Sequence, residues 1–205
     1  MKSDNMRFYS AMLMAGCGLH AAAQTQRPNI VFIITDDHSF QTISAYGSEV
    51  SKLAPTPNID RLANEGARFD DAFVENSLST PARACLLTGL YSHQNGQRTL
   101  GKGIDSTKTF VSELLQDAGY QTGVVGKWHM QCRPKGFDFF RIFEGQGDYY
   151  NPLVLSHDSN GKYEREQGYA TDIVTEHAVE FLNQRDEQKP FFLLVEHKAP
   201  HRTWM

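Results

Sequence analysis

The sequence predicts an α/β protein built on a largely parallel sheet flanked by helices. Two runs, Ile30-Val31-Phe32-Ile33-Ile34-Thr35 and Phe191-Phe192-Leu193-Leu194-Val195, are apolar on both alternating faces. A strand covered by helices on each side requires that pattern. Strand-like runs also alternate with stretches of helical period, as they do in layered α/β domains. The composition agrees: 40% of the 205 residues are hydrophobic and 21% charged, and 20 basic against 24 acidic residues give a net charge of −4. Such a chain buries a core, which excludes a disordered protein, and its acidic excess argues against binding nucleic acid through phosphate contacts.

Residues 1–23 read as a secretory signal peptide. Lys2 and Arg7 precede an apolar stretch from Phe8 to Leu19, too short to span a bilayer, and Ala21-Ala22-Ala23 fits cleavage before Gln24. A cut before Cys17 competes with it, because Ala15-Gly16-Cys17 resembles the box at which bacterial lipoproteins are lipid-anchored. No other segment has the apolar length of a membrane span, so the expected product is exported, periplasmic or secreted.

The first apolar run predicts a central strand that stops at Asp36-Asp37-His38. Thr56-Pro57 then opens a helix with a capping hydroxyl and a first-turn proline; Ile59, Leu62 and Ala63 line one face and Gly66 ends it. Ala67 to Val74 reads as a short strand. Thr80-Pro81 repeats the opening signal, with Thr80 as cap, Pro81 as first helical residue and Gly89 as stop. A helix around Phe110 to Ala118 closes at Gly119. Gln121 to Val125 is a strand ending at Gly126-Lys127-Trp128-His129, and Thr171 to Leu182 is a helix with Ile173, Val174, Ala178, Phe181 and Leu182 inward. The second apolar run ends in Glu196-His197-Lys198-Ala199-Pro200-His201. Residues 133–168, rich in Gly, Tyr, Phe and Asp, read as a long surface excursion near a binding mouth. Cys85 and Cys132 read as small buried residues rather than a disulfide framework. The chain stops soon after His201 with no closing helix, so it is expected to be the N-terminal portion of a longer protein.

Ligands of open α/β sheets bind outside the carboxyl ends of the strands, and each such end here is chemically capable. Asp36 and Asp37 offer two hard carboxylates suited to Ca²⁺ or Mg²⁺ rather than to a soft metal, although Asp pairs also make ordinary solvated turns. Lys127 and His129, two apart, would face one side of a continuing strand, where a cation and an imidazole hold an anion and move a proton. A surface lysine and a hydrogen-bonded histidine beside Trp128 fit the same residues. Ser79 stands just before the positive end of a helix, with Arg83 one turn inside, which suits a tetrahedral oxyanion or a plain Ser/Thr cap. A serine hydroxyl is a weak nucleophile without an activating base or modification, and no histidine is near Ser79 in sequence.

Ser79-Thr80-Pro81-Ala82-Arg83-Ala84-Cys85-Leu86-Leu87-Thr88-Gly89 resembles the signature of the type I sulfatases, in which Cys or Ser opens C/S-x-P-x-R followed by x-x-L-x-x-G. Asn29 to Asp37, Pro55 to Leu62, Gly126 to His129 and Ala199-Pro200-His201 resemble further blocks of that family, in family order. The resemblance implies an alkaline-phosphatase-like fold, incomplete in this chain, with residues 24–205 as the N-terminal part of the catalytic domain. It also implies hydrolysis of sulfate esters by a formylglycine made from Ser79, installed by the bacterial serine-type maturing enzyme. Asp36, Asp37 and residue 79 would bind Ca²⁺, and Arg83 and Lys127 would hold the formylglycine and developing charge. His129 would help expel sulfate by taking the second hydroxyl proton, while His201 would contact the sulfate and assist the leaving oxygen. The stretch His197 to Arg202 resembles sulfatases acting on sulfated glucosamine or N-acetylglucosamine, which implies a sulfated carbohydrate substrate. A later metal-binding Asp/Asn pair and a later sulfate-binding Lys have no counterpart, so the 205 residues alone are expected to be inactive. A phosphomonoester or phosphodiester hydrolase of the same superfamily, and a non-catalytic chain that binds sulfated ligands, are the competing expectations.

Overall fold

The alternation of one strand organises the core. A computed structural model describes residues 27–204, so the expected signal peptide, its expected cleavage after Ala23 and the alternative anchor at Cys17 lie outside the described residues. Six strands, β1 (Ile30–Asp36), β2 (Gln121–Gly126), β3 (Phe139–Phe143), β4 (Leu153–Ser156), β5 (Tyr163–Arg165) and β6 (Phe191–Pro200), form one sheet in the order β1-β6-β2-β3-β4-β5. The first four in that order run parallel, and β4 and β5 join antiparallel. The sheet is therefore largely parallel, as the sequence predicts. Along β6, Phe192 and Leu194 point into one apolar cluster with Val124, Phe140, Trp128 and Phe110, and Phe191, Leu193 and Val195 into another with Val125, Phe139 and Phe143.

Helices cover both clusters. On the first face lie α2 (Ser79–Thr88) and α4 (Val111–Asp117); α1 (Pro57–Glu65) precedes both in the chain and α3 (Ser92–Asn95) lies between them. Ala84 and Leu87 of α2 and Phe110 at the start of α4 are fully or almost fully buried there. The Glu113 carboxylate accepts the Phe110 N–H and so fixes the α4 entry. On the second face α5 (Ala170–Gln184) buries Ile173, Val174 and Phe181, with Ala178 and Leu182 packed beside them, the inward set its period predicts. Among the described residues, no helix is long and apolar enough to cross a membrane.

Several expectations are corrected. Among the described strands β1 stands at the edge of the sheet, where the sequence predicts a central one: it pairs there with β6 alone, and Val31, Phe32 and Ile33 are 51%, 40% and 54% exposed. An apolar run reports what a strand can bury, and not its place in the sheet. Ala67 to Val74 forms no strand; Phe69, Phe73 and Val74 are exposed and the backbone finds no ladder. Thr56 does not cap α1, because its hydroxyl is engaged by Ser44 and Asp60, and Ile59 and Leu62 share a face that is exposed. Helix α2 begins at Ser79, with Leu78 as its cap residue, so Pro81 falls within the first turn, where a missing N–H costs nothing. Gly89 does stop it, in the left-handed conformation at φ +65°.

The largest correction concerns residues 133–168. This segment holds β3, β4 and β5, and buries Phe139, Phe140, Ile142, Phe143, Val154 and Leu155 in the core. Its strands are three to five residues long and separated by glycine turns, too short for a two-residue period to stand out. Phe143, Gly145, Leu155 and Tyr163 do line, with residues 128–133, a cavity of about 380 Å³ beside His129. Cys132 is half-buried rather than buried, and both Cys85 and Cys132 are free thiols.

One glycine is demanded by the site that follows. Gly126 ends β2 at φ +97°, and a Cβ there would overlap the carbonyl oxygen of Glu196. Gly126→Ala is expected to lower stability by about 2–4 kcal/mol, from backbone strain and overpacking together. The shift in urea midpoint, at unchanged denaturant slope, checks it.

Candidate active site

The carboxyl ends of β1, β2 and β6 converge with the first turn of α2, and each brings a charged side chain. From β1 comes Asp36, 9% exposed, followed by Asp37 in the left-handed region at φ +60°. After β2 comes Lys127, wholly buried, whose N–H donates to the Glu196 carbonyl at 2.7 Å and whose Nζ donates to Asp36 Oδ2. From β6 comes Glu196, 2% exposed, and further along its chain His201. From α2 come Ser79 and Arg83, four apart and so on one face of the helix.

These groups form one connected set. Arg83 Nε donates to Ser79 Oγ at 3.2 Å, Arg83 Nη1 donates to Glu196 Oε1, and Arg83 Nη2 lies 4.0 Å from Asp36 Oδ2. His129 Nδ1 stands 3.3 Å from Ser79 Oγ. The strand ends at Gly126, so Lys127 and His129 do not share a side by strand alternation. A turn at His129, φ +50°, carries the imidazole over α2 instead. The Thr80 hydroxyl, expected as a helix cap, donates to the His129 carbonyl at 3.0 Å and pins that turn. Trp128 Nε1 donates to the Cys132 carbonyl at 2.6 Å and closes the loop behind it. His201 Nε2 lies 3.6 Å from Asp37 Oδ2, and the Tyr149 hydroxyl donates to the His201 carbonyl at 2.6 Å.

Burial sets the proton affinities. It pushes the Lys127 ammonium down from its ordinary value, against the opposing pull of Asp36. His129 is lowered by burial first and by Lys127 and Arg83 after it, which leaves a neutral imidazole able to accept a proton near neutral pH. Burial pushes the Glu196 carboxyl up to about 7, with the Arg83 charge opposing. A cleft of about 740 Å³ is lined by Asp36, Asp37, Asn76, Ser79 and Arg83. A neutral imidazole and a guanidinium flanking one hydroxyl, above a buried lysine, can bind a tetrahedral anion and move a proton at that oxygen.

All seven residues singled out in sequence therefore lie at one end of the sheet. Sequence reasoning missed Glu196, Thr80, Tyr149 and the buried Lys198, whose Nζ lies 5.0 Å from the Tyr149 ring centre. Glu196 had a signal: an acidic residue directly following five apolar ones in a strand.

A family model described as Sulfatase matches residues 28–204, almost the whole of the described chain. The chain belongs to the sulfatase family. It is 47% identical over 199 residues to an N-acetylglucosamine-6-O-sulfatase of Bacteroides thetaiotaomicron, covering 96% of this chain and 35% of that protein. A solved sulfatase structure, described as complexed with its substrate D-glucosamine-2-N,6-O-disulfate, superposes with a TM-score of 0.83 at 49% identity, over 88% of this chain and 36% of that one. An alkaline phosphatase superfamily protein from Vibrio parahaemolyticus, 22% identical, matches with a TM-score of 0.57 over 89% of this chain and 43% of its own, which shows the shared fold. The sulfatase chain described here thus spans about a third of the length of its curated relative.

As a sulfatase, it can be asked whether it has a place for a cation. Asp36, Asp37 and the Ser79 hydroxyl are hard oxygen donors of the right kind for Ca²⁺, yet the described residues contain no cluster of three or more acidic, His or Cys groups. In this structure the side-chain cations of Lys127 and Arg83 compensate Asp36 instead.

The neighbouring His197 supplies a pH test. Burial lowers its pKa, and its Nδ1 is buried with no hydrogen-bond partner among the described residues. A histidine depressed by folding is more protonated in the unfolded chain, so stability is full above the unfolded pKa and is lost as pH falls from about 6.5 toward the folded pKa. The slope from this one group reaches at most about 1.4 kcal/mol per pH unit. His197→Gln is expected to flatten the fall in stability between about pH 6.5 and 5, read as urea midpoints of the two proteins across that range.

Proposed function

We propose that the protein hydrolyses sulfate esters on glycans bearing sulfated glucosamine or N-acetylglucosamine, with Ser79 converted to formylglycine by a serine-type maturing enzyme. The observation that carries this reading is the Ser79 oxygen, reached by both Arg83 Nε and His129 Nδ1, in a chain half identical to a glucosamine-sulfate enzyme. The reaction adds water across the S–O bond, giving a free sugar hydroxyl and sulfate.

The formylglycine hydrate would supply at position 79 the nucleophilic hydroxyl that serine lacks. Asp36, Asp37 and the oxygen on residue 79 would hold Ca²⁺, which when bound neutralises charge on the sulfuryl oxygens. The chain's own residues do the rest. Arg83 and Lys127 orient the oxygen of residue 79 and offset negative charge developing beside it. His129, neutral and within reach of that oxygen, takes its proton. His201, whose backbone carbonyl accepts the Tyr149 hydroxyl and whose Nε2 lies 3.6 Å from Asp37, would contact the sulfate and assist the leaving sugar oxygen.

We also read residues 1–23 as an export signal, with Cys17 as the alternative lipid anchor. Two carboxylates and one hydroxyl do not fill a Ca²⁺ shell of about six to eight oxygens, so no turnover is expected from the 205 residues alone.

The test uses full-length protein from a maturation-competent host. Peptide mass analysis should find formylglycine at position 79, and a panel of defined sulfated sugars should show turnover on a glucosamine sulfate. Activity with unmodified Ser79, or preference for a phosphate ester or a non-carbohydrate sulfate, would overturn the reading. Tight binding of sulfated sugars without turnover in the matured protein would make it a binding protein instead.

A further inference from the structure

We infer that Glu196 is the positioning residue of the site: by accepting Arg83 Nη1, it turns the guanidinium so that Nε faces the oxygen of residue 79. The inference rests on the reading of Ser79 and Arg83 as active-site groups.

Helix geometry alone brings the Arg83 stem beside Ser79, since the two are one turn apart. It does not set the plane of the guanidinium, which rotates freely about the end of a flexible side chain. An arginine presents its five N–H donors in a fixed planar fork, so anchoring one end determines where the other points. Here Glu196 Oε1 takes Nη1, Ser79 Oγ takes Nε at 3.2 Å, and Asp36 lies farther off, 4.0 Å from Nη2. Of the two carboxylates beside the guanidinium, Glu196 is the one within hydrogen-bond distance.

The anchor is itself fixed. Glu196 sits on a strand flanked on both sides, paired with Ile34 of β1 and with Gly126 of β2. Its carbonyl also accepts the Lys127 N–H, so one residue sets the side chain of one active-site cation and the backbone of the other. A group held on two neighbouring strands is a firmer support than any loop.

Nothing in the packing asks for a carboxylate here. Glu196 follows five apolar residues, is 2% exposed, and its Oε2 has no hydrogen-bond partner among the described residues. A half-satisfied buried carboxylate is costly and is retained where it serves orientation. Arg83, Lys127 and Asp36 are the charged groups that face it, and burial outweighs the two cations in pushing its carboxyl up to about 7. A neutral carboxyl still accepts Nη1 through its carbonyl oxygen, so the positioning survives either protonation state.

The experiment compares E196A, E196Q and R83A/E196A with R83A in matured, full-length protein, with formylglycine occupancy measured in each. E196A is expected to lose about 10- to 100-fold in kcat at nearly unchanged KM, the size of effect seen when an outer partner of a site residue is removed. E196Q, which keeps the acceptor, recovers most of that loss, and E196A in the R83A background adds no further loss. E196M replaces E196A if the smaller residue does not fold. Crystal structures of E196A and E196Q give a readout independent of turnover: Arg83 Nε should leave the oxygen of residue 79 in the first and stay on it in the second. A wild type inactive on every sulfate ester would overturn the proposed function, while the crystal structures would still decide the role of Glu196. An Arg83 that holds its place in E196A, an additive loss in the R83A background, or a KM effect in place of a kcat effect would overturn the inference.

Discussion

Ser79→Ala in the full-length protein is expected to abolish turnover of sulfated glucosamine, by about 10⁴- to 10⁶-fold in kcat, the range found when an enzyme's nucleophile is removed. The fold should survive. Ser79 Oγ touches Arg83 and His129 and nothing in either apolar cluster, and alanine is the better helix former in the first turn of α2. Loss of the hydroxyl removes one acceptor from Arg83, whose guanidinium keeps its bond to Glu196. Steady-state assays beside urea unfolding curves check the split: activity gone, with midpoint moved by less than about 1 kcal/mol of stability. A variant that kept a tenth of wild-type turnover would remove residue 79 from the chemistry altogether.

Lys127→Ala should fail in both respects. Its ammonium is wholly buried and bonded to Asp36, itself 9% exposed, so truncation leaves a buried carboxylate whose remaining ion pair is with Arg83, 4.0 Å away. Breaking a buried pair by removing one partner costs about 3–5 kcal/mol. Turnover should fall by about 100- to 1,000-fold, as when a preorganised charge-stabilising donor is deleted. The double variant Lys127→Ala with Asp36→Asn should regain part of the stability and none of the activity, because it removes the stranded charge without restoring the cation. Urea midpoints of the two single variants and the double variant measure that coupling.

The strands and helices of strong period were legible in the sequence, and so were the seven polar residues gathered at one end of the sheet. What was hidden follows from physical causes. The run Ile30 to Thr35 states how apolar β1 is, but the sheet order is decided by which strand it meets, and β6 lies far away in sequence. Phe69 and Phe73 are as strand-like as any residues here, yet with no partner strand in reach their backbone stays irregular. The segment 133–168 hid three strands because glycine turns divide it into pieces of three to five residues. Within the site, the contact of His129 with Ser79 spans 50 positions and depends on a left-handed turn at a non-glycine residue, which no local pattern announces. Glu196 stood in view but was read as the end of a strand, because a carboxylate's partner cannot be inferred until the sheet register is known.

The pairing of β1 with β6 has a consequence in time. Asn29 and Phe191, joined by a hydrogen bond at the start of the two strands, are 162 residues apart. At about 5–20 residues per second, synthesis leaves the first strand waiting roughly ten to thirty seconds for its neighbour. During that interval Val31, Phe32 and Ile33 form an unpaired β-prone segment, the kind that adheres to other nascent chains. The two aspartates that β1 delivers to the site cannot be set against Lys127, Arg83 and His201 until β6 has emerged, so chemistry and late closure are bound to the same event. Folding yield should therefore respond to holdase chaperones and to slower, cooler expression more than to any change that only deepens the finished core.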